Sequence, residues 1–339
     1  MSYWKVCVRC CTYNHAAYIT DALNGFVIQQ LEVPFVAVVI DDASTDGTRQ
    51  ILLEYLSNYF DKCEWSTEYE KETDEAIIWF RRHKSNHNCY FAIVVLKFNH
   101  YSRQIPKQYI LDTWERNSEY IAICDGDDYW IDSLKLQKQI DFLDLNPSYG
   151  VCHTDFILSD GRPRRHYREK HPNGNYFPAI VTKNDISIGT LTAVYRRTDF
   201  EKTPMAYLGK KFVAGDYPRW IEMSKITKIK YLADRTAAYR VLAESASHSM
   251  DVDKALHFIY GLTTIREFYA ELYELPLDYK THYTNLLRTS YIHKDYIIAR
   301  KVFKEAYKNK CITIRGLFFY LGIRYKWIHR LIDIVYIPR

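Results

Sequence analysis

The first half of the chain alternates short apolar runs with stretches of helical periodicity. Residues 5–11 alternate weakly around Val6 and Val8, which predicts a short strand ending in the turn-like Thr12-Tyr13-Asn14-His15. Over about 17–30, Ala22, Leu23, Phe26 and Val27 share one helical face. Phe35–Ile40 (FVAVVI) is a continuous apolar run of strand length, the pattern of a strand buried on both faces. It stops at Asp41-Asp42-Ala43-Ser44-Thr45-Asp46-Gly47-Thr48, after which Ile51, Leu52, Tyr55 and Leu56 predict a helix over about 47–60. A strand is expected at 91–97, a helix at 105–116, a buried strand at Tyr120–Cys124, and a helix at 132–145 stopped by Asn146-Pro147. Repeated strand–helix alternation implies right-handed crossovers and a mainly parallel sheet.

Later segments are less regular. Strands are expected at 150–157, near 190–196 and at 229–240, with a helix starting near Pro218 and a polar loop at 158–178. The charged and aromatic stretch 61–90 yields no clear element before the strand at 91–97, and from 251 onward the pattern is helical. The reading is an α/β unit at 1–249 followed by a helical extension at 250–339.

Composition narrows the setting. The N-terminus, MSYWKVCVRCC, lacks the basic and apolar regions of a secretion signal, and no run of about 18 apolar residues occurs, so a cytoplasmic protein is expected. Eight cysteines then read as free, mostly buried thiols. Cys7 and Cys10 have metal-site spacing, but three positions apart on a strand point to opposite faces, which prevents a shared ion or disulfide. Residues 300–339 hold ten Lys/Arg against Glu305 and Asp333, a +8 tail on a body of −3, which suggests an anionic surface as partner or a solvated helix face.

Two acidic clusters stand where apolar strands end, the edge at which open α/β sheets bind ligands. Asp125-Gly126-Asp127 has the D-x-D form. Mg²⁺ or Mn²⁺ takes one or two protein carboxylates and completes its shell with phosphate and water, and Gly126 would let backbone approach closely. The same pattern suits an acidic turn capping the helix at 132.

The motifs together resemble family 2 of the inverting glycosyltransferases with a GT-A, Rossmann-like fold, especially bacterial members that build surface polysaccharides. VCVRCCTYNHAAYITDAL (6–23), VVIDDASTDGTRQIL (38–52) and YIAICDGDDYWIDSLKLQKQIDFLDLNP (120–147) carry the likeness in order and separation. The resemblance implies that Thr12, Tyr13 and Asn14 lie against the nucleoside, that Asp42 bonds the base, and that Asp125 faces the ribose or diphosphate. It makes Asp127 the ligand of Mn²⁺ or Mg²⁺, with Asp128 structural. FVAGDYPRW (212–220) resembles the segment of the catalytic base, giving Asp216, which could instead cap the helix at Pro218. YRVLAESASHS (239–249) resembles a segment near the diphosphate and brings His248 toward the metal, against the alternative of a packed or surface residue. Cys10-Cys11 replaces the usual Pro before Thr-Tyr-Asn, and Gly215 replaces a frequent Glu.

The implied partners are a nucleotide-diphosphate sugar, a UDP-sugar by preference, and a glycan or lipid-linked acceptor, with no nucleic acid. A nucleotidyltransferase would carry a Gly-rich basic loop after the first strand, where this chain has TYNHAA; a non-catalytic scaffold would tend to lose Asp127 or Asp216. At 315–337, Leu317, Leu321, Tyr325, Ile328, Ile332 and Val335 recur at helical steps with Arg324, His329 and Arg330 elsewhere on the wheel. That pattern suits a basic helix at a membrane surface, or one packed on the protein or on a second copy in a homo-oligomer.

Overall fold

The computed structural model describes residues 4–61, 69–161, 174–183, 186–242, 251–325, 327–329 and 332. In chain order it runs β1 (Trp4–Thr12), α1 (Ile19–Val27), β2 (Phe35–Asp41), α2 (Thr48–Tyr59), β3 (Phe60–Asp61), β4 (Tyr69–Glu72), β5 (Ala76–His83), β6 (Cys89–Leu96), α3 (Gln108–Glu115), β7 (Ser118–Ile123), β8 (Tyr129–Trp130) and α4 (Lys135–Leu145). Then follow β9 (Tyr149–Leu158), α5 (Ala179–Thr182), a 3₁₀ turn (Thr190–Thr192), β10 (Val194–Arg196), α6 (Arg197–Phe200), α7 (Asp216–Ile226) and β11 (Lys228–Tyr239). Helices α8 (Val252–Leu272), α9 (Lys280–Ile292), α10 (Tyr296–Lys308) and α11 (Ile314–Arg324) come after β11.

One sheet organises the body, in the order β3-β5-β6-β2-β1-β7-β10-β9-β11-β8 with β4 on β5. Its centre, β6-β2-β1-β7, is parallel. β2 is buried along its whole length between β1 and β6, which is why its sequence reads as an unbroken apolar run. Outside that centre the sheet is mixed: β5, β10 and β8 join antiparallel, while β9 and β11 are parallel to each other.

Apolar side chains fill both sheet faces. Val6, Val8 and Cys10 project into one cluster with α1 and α4, and Cys7 into the other with Val36 and Ile121. Cys7 and Cys10 thus lie on opposite faces as free thiols, as the strand geometry requires.

Two expectations are corrected. Within the stretch 61–90, residues 69–83 form β4 and β5, an antiparallel addition to the sheet edge. β4 is charged, with Glu70, Lys71 and Glu72 on the outer strand, and the apolar run Ala76–Phe80 of β5 is only partly buried and stands between charged neighbours. The second correction is at the C-terminus, where no single helix spans 315–337. α11 ends at Arg324, and Tyr325 is extended (φ −117°, ψ 113°). The chain folds back so that Phe319, Ile328 and Ile332 join Leu286, Leu287, Tyr291 and Val302 in a third apolar cluster. Gly322 makes room for this, since a Cβ there would lie 2.4 Å from Ile332 Cδ1. Among the described residues, no helix is long and apolar enough to cross a membrane.

α8 belongs to the body. Its Ile265, Tyr269 and Ala270 enter the second cluster. Arg266 Nε donates to the Val181 carbonyl (2.7 Å), and Tyr269 Oη to Glu222 (2.7 Å).

Candidate active site

β1 and β7 lie side by side, and their pairing continues past both strand ends. Cys124 N donates to Arg9 O (3.0 Å) and Gly126 N to Cys11 O (2.9 Å). Asp125 Oδ1 in turn accepts from Cys11 N (3.1 Å). The Asp125-Gly126-Asp127 turn is therefore laid against β1, and Asp128 N closes it on Asp125 O (3.1 Å). It does not cap α4, whose N-cap is Leu134 with no side-chain bond.

The three acids of this turn have different surroundings. Asp125 and Asp127 face open space. Asp128 is buried and accepts from Arg240 N (2.8 Å), while Arg240 Nη1 donates to the Asp127 carbonyl (2.7 Å) and Nη2 bonds Asp21. Burial, then the charge of Asp127, pushes Asp128 up to about 8. Water reaches Asp125, but crowding by the protein, then Asp127, raises it to about 6.

The β2 cluster divides in the same way. Asp41 accepts from Ser44, and Asp46 holds Thr48 N (3.0 Å) and Ala16 N (2.9 Å), so both build the turn. Asp42 points to the cleft, where its carboxylate accepts from His100 N (2.7 Å), Tyr101 N (3.1 Å) and Lys107 Nζ (2.8 Å). Three of its roughly four lone-pair positions are thus occupied, leaving about one for a ligand.

Two cavities meet at the acidic turn. The first, about 460 Å³, is lined by Thr12, Tyr13, His15, Asp42, Lys107 and the pair Asp125 and Asp127, among others. The second, about 410 Å³, is lined by the same Asp125 and Asp127 together with Asp128, Gly189, Thr190 and Asp216. Asp216 is the first residue of α7; its Oδ2 accepts from Thr190 Oγ1 (2.5 Å) and its Oδ1 from Tyr217 N (2.8 Å). Gly215 takes the N-cap position, so Asp216 faces the cleft without capping the helix.

The structure thus gathers Thr12, Tyr13, Asp42, Asp125, Asp127 and Asp216 around one cleft. Asn14 is used differently: in a left-handed conformation (φ 55°), its Oδ1 accepts from Thr45 N (2.8 Å) and its N donates to Ser44 Oγ (2.9 Å), joining the two strand-end turns. His248 lies outside the described residues. Lys107, His15, Arg240 and Thr190 were not singled out from sequence. Burial lowers the pKa of His15, against the opposing charges of Asp127 and Asp46, which favours a neutral imidazole on the cavity wall.

Among the described residues no three His, Cys, Asp or Glu side chains gather into a metal cage. Asp125 and Asp127 supply one or two carboxylates beside open space, a set that fits Mg²⁺ or Mn²⁺ completed by phosphate and water.

Residues 7–65, which span β1 to β3 and contain Thr12, Tyr13 and Asp42, match the family described as Glycosyl transferase family 2. An uncharacterized protein of Mycobacterium tuberculosis (strain ATCC 25618 / H37Rv) is 28% identical over 253 residues, 72% of this chain; the chain spans 60% of that relative's length. TuaG of Bacillus subtilis (strain 168), named for teichuronic acid biosynthesis as a glycosyltransferase, is 27% identical over 266 residues, covering 77% of this chain and 89% of TuaG. Among solved structures, S. aureus TarS 1–349 in complex with UDP aligns at 16% identity and a TM-score of 0.48, over 96% of this chain and 92% of that one. The family's sequence thus lies on β1 and β2, which carry Thr12, Tyr13 and Asp42 to one side of the cleft, and over residues 7–65 the chain is similar to glycosyl transferase family 2.

Proposed function

We propose that the protein transfers a sugar from a nucleotide-diphosphate sugar, preferentially a UDP-sugar, to a hydroxyl of a glycan or lipid-linked acceptor with inversion. One observation carries this reading: Asp125 and Asp127 line both cavities, so a group they hold stands between a nucleotide-sized space and the space that contains Asp216. The match of residues 7–65 to a glycosyltransferase family and the likeness to TuaG support it.

In this reading the first cavity takes the nucleoside. Tyr13, half exposed, offers an aromatic face to the base, and Lys107 brings positive charge to the same wall. Asp42 orders that wall by holding His100, Tyr101 and Lys107, and keeps one acceptor position for a base N–H. Asp127 would hold the divalent ion with Asp125 beside it; bound there, the ion would offset the charge developing on the departing diphosphate. Arg240 fixes the Asp127 carbonyl and so the direction of its side chain.

Asp216 serves as the base. The acceptor hydroxyl attacks the anomeric carbon, its proton passes to the Asp216 carboxylate, and the bond to the diphosphate breaks. The transition state has the oxocarbenium character of glycoside chemistry. Attack from the side opposite the leaving group, without a protein nucleophile, inverts the configuration. The Thr190 hydroxyl, donating to Oδ2, holds the carboxylate toward the cleft. Residues 1–249 carry this chemistry, and helices α8 to α11 follow as an extension. We place the protein at the cytoplasmic face of a membrane, where Phe318 and Trp327, left exposed by the third cluster, stand in a basic segment.

The test is metal-dependent turnover of a panel of UDP-sugars. Asp127→Ala should abolish it. Asp216→Asn should lower transfer by about 10²–10⁴-fold while nucleotide binding persists. Metal-dependent turnover unchanged in Asp127→Ala would overturn the assignment.

A further inference from the structure

Behind Asp216 lies a compartment that the proposed chemistry does not use. A cavity of about 190 Å³ is lined by Ile180, Ile186, Ile188, Trp220, Phe258 and Leu262, with Ala214 and Asp216 also on its wall. Asp216, Ser187 and Ile188 line the 410 Å³ cavity as well, so the two spaces adjoin at the carboxylate. Polar groups in the wall are turned to other work. Tyr217 Oη donates to the Ile180 carbonyl (2.7 Å), and Trp220 Nε1 to Thr190 Oγ1 (3.3 Å). Apart from the carboxylate at its mouth, the wall is mainly hydrocarbon.

Part of this wall comes from α8, beyond the sequence blocks that carried the family resemblance. Gly261 brings the helix backbone against Val213: a Cβ there would lie 2.4 Å from Val213 Cγ1. Phe258 and Leu262, one turn apart on the same helical face, thereby reach the slot. An apolar space of about 150 Å³ holds a benzene-sized molecule, so this slot suits a ring or a chain of about six carbons.

We propose that the slot receives an apolar group carried by the acceptor next to its attacking hydroxyl, and that α8 is part of the acceptor site. The claim that the occupant is the acceptor rests on the reading of Asp216 as the base; the claim that the slot binds hydrocarbon does not.

Benzyl alcohol, with a hydroxyl one carbon from an apolar ring, is a minimal probe. With the full chain, saturation-transfer NMR should show magnetisation passing to its ring protons. The transfer should fall at least about fivefold in Ala214→Leu and in Leu262→Trp, which fill the slot, and should persist in Asp127→Ala. Melting temperatures check that the variants fold, and Phe258→Ala, which enlarges the slot, should bind a bulkier aryl alcohol better than the parent does. No transfer in the parent, or equal transfer in the parent and both filled variants, overturns the proposal. The probe needs neither donor nor metal, so slot binding without UDP-sugar turnover would sink the transferase reading and leave the slot standing. In an active enzyme, hexyl glucoside should have a lower KM than methyl glucoside, with the preference lost in Ala214→Leu. An unchanged preference would remove the slot from the acceptor site while leaving transfer intact. Comparing methyl fucoside with methyl galactoside then separates a deoxysugar methyl group from an alkyl aglycone as the natural occupant.

Discussion

Gly126 makes the acidic turn unusually sensitive to one methyl group. A Cβ at that position would lie 2.6 Å from Thr12 Oγ1, 2.7 Å from Thr12 Cβ and 3.0 Å from Ile19 Cδ1. Thr12 cannot retreat. It is buried at the end of a central strand, in register with Asp41, and its carbonyl accepts from Asp42 N (3.0 Å). Gly126 is held from its own side by the bond to Cys11 O (2.9 Å). The added methyl would therefore have to pry the turn from β1. Overpacking of this kind costs about 1–3 kcal/mol. The reduced freedom of the unfolded chain returns about 0.4–1 kcal/mol, so Gly126→Ala should be destabilised by about 1.3 kcal/mol net, at most about 2.6. Urea denaturation should show a lower midpoint at unchanged slope. Affinity for Mn²⁺ and nucleotide should fall with it, because Asp125 and Asp127 ride on the displaced backbone. Gly215→Ala is the control: its Cβ would meet nothing within 4 Å, its φ is −87°, and its stability should stay within about 0.5 kcal/mol of the parent. Should Gly126→Ala be no less stable than Gly215→Ala, the strand contact is not the reason for glycine between the two acids.

Four further outcomes follow from the geometry. Lys107→Met removes the cation from the buried Asp42 carboxylate and leaves two backbone donors; unfolding free energy should fall by about 2–4 kcal/mol, with part regained in the Asp42→Asn/Lys107→Met double variant. Asp128 stays neutral in the fold until about pH 8, while in the unfolded chain it ionises near about 3.9, so the stability it gives is full at low pH and drains away as pH rises through that window. In metal-free buffer, the melting-temperature advantage of Asp128→Asn should widen from about pH 4 to about pH 8 and then level off; a flat difference would contradict this. Thr190→Val should lower kcat about 10–100-fold at unchanged donor KM, since it loosens Asp216 and touches nothing in the first cavity. Trp327→Ser with Phe318→Ser should reduce flotation on anionic liposomes while the third cluster stays folded, and equal flotation would rule out membrane contact through these side chains.

What the sequence revealed depended on how each feature is encoded. β2 and β7 are apolar because they are buried on both faces, and the acids that follow them interrupt that pattern abruptly, so strand ends and candidate ligands were legible together. The mixed flanks were not. β4 is charged, a pattern that suits a loop as well as an edge, and the run Ala76–Phe80 of β5, a strand signal in itself, is short and set among charged residues. Lys107 and Arg240 were hidden for another reason. Each earns its place by an ion pair or hydrogen bond to a residue distant in sequence, Asp42 or the Asp127-Asp128 backbone and side chain, and no periodicity records such a partnership. Asn14 shows the opposite limit. Its position in a recognisable motif placed it against the nucleoside, yet its amide oxygen binds Thr45 N and its backbone N binds Ser44.

The C-terminal segment shows why an amphipathic stripe alone did not identify its partner. Leu317, Leu321, Tyr325, Ile328 and Ile332 fall at helical steps, and any apolar surface satisfies such a stripe. The fold divides the stripe by breaking the helix at Tyr325. Ile328 and Ile332 turn inward onto Tyr291, while Leu317 and Tyr325 stay exposed. The signal for this was in two glycines that a count of apolar positions ignores. Gly322 admits Ile332 Cδ1, and Gly316 lets α11 approach Leu287 and Thr284. Small residues on a helix mark where another element comes close, so their positions distinguish a packed helix from one lying on lipid better than the apolar stripe does. By that criterion the tail is chiefly part of the protein. Any membrane contact would fall to the exposed aromatics and the basic side chains beside them, so deleting the whole segment would measure the stability of the third cluster before it measured lipid binding.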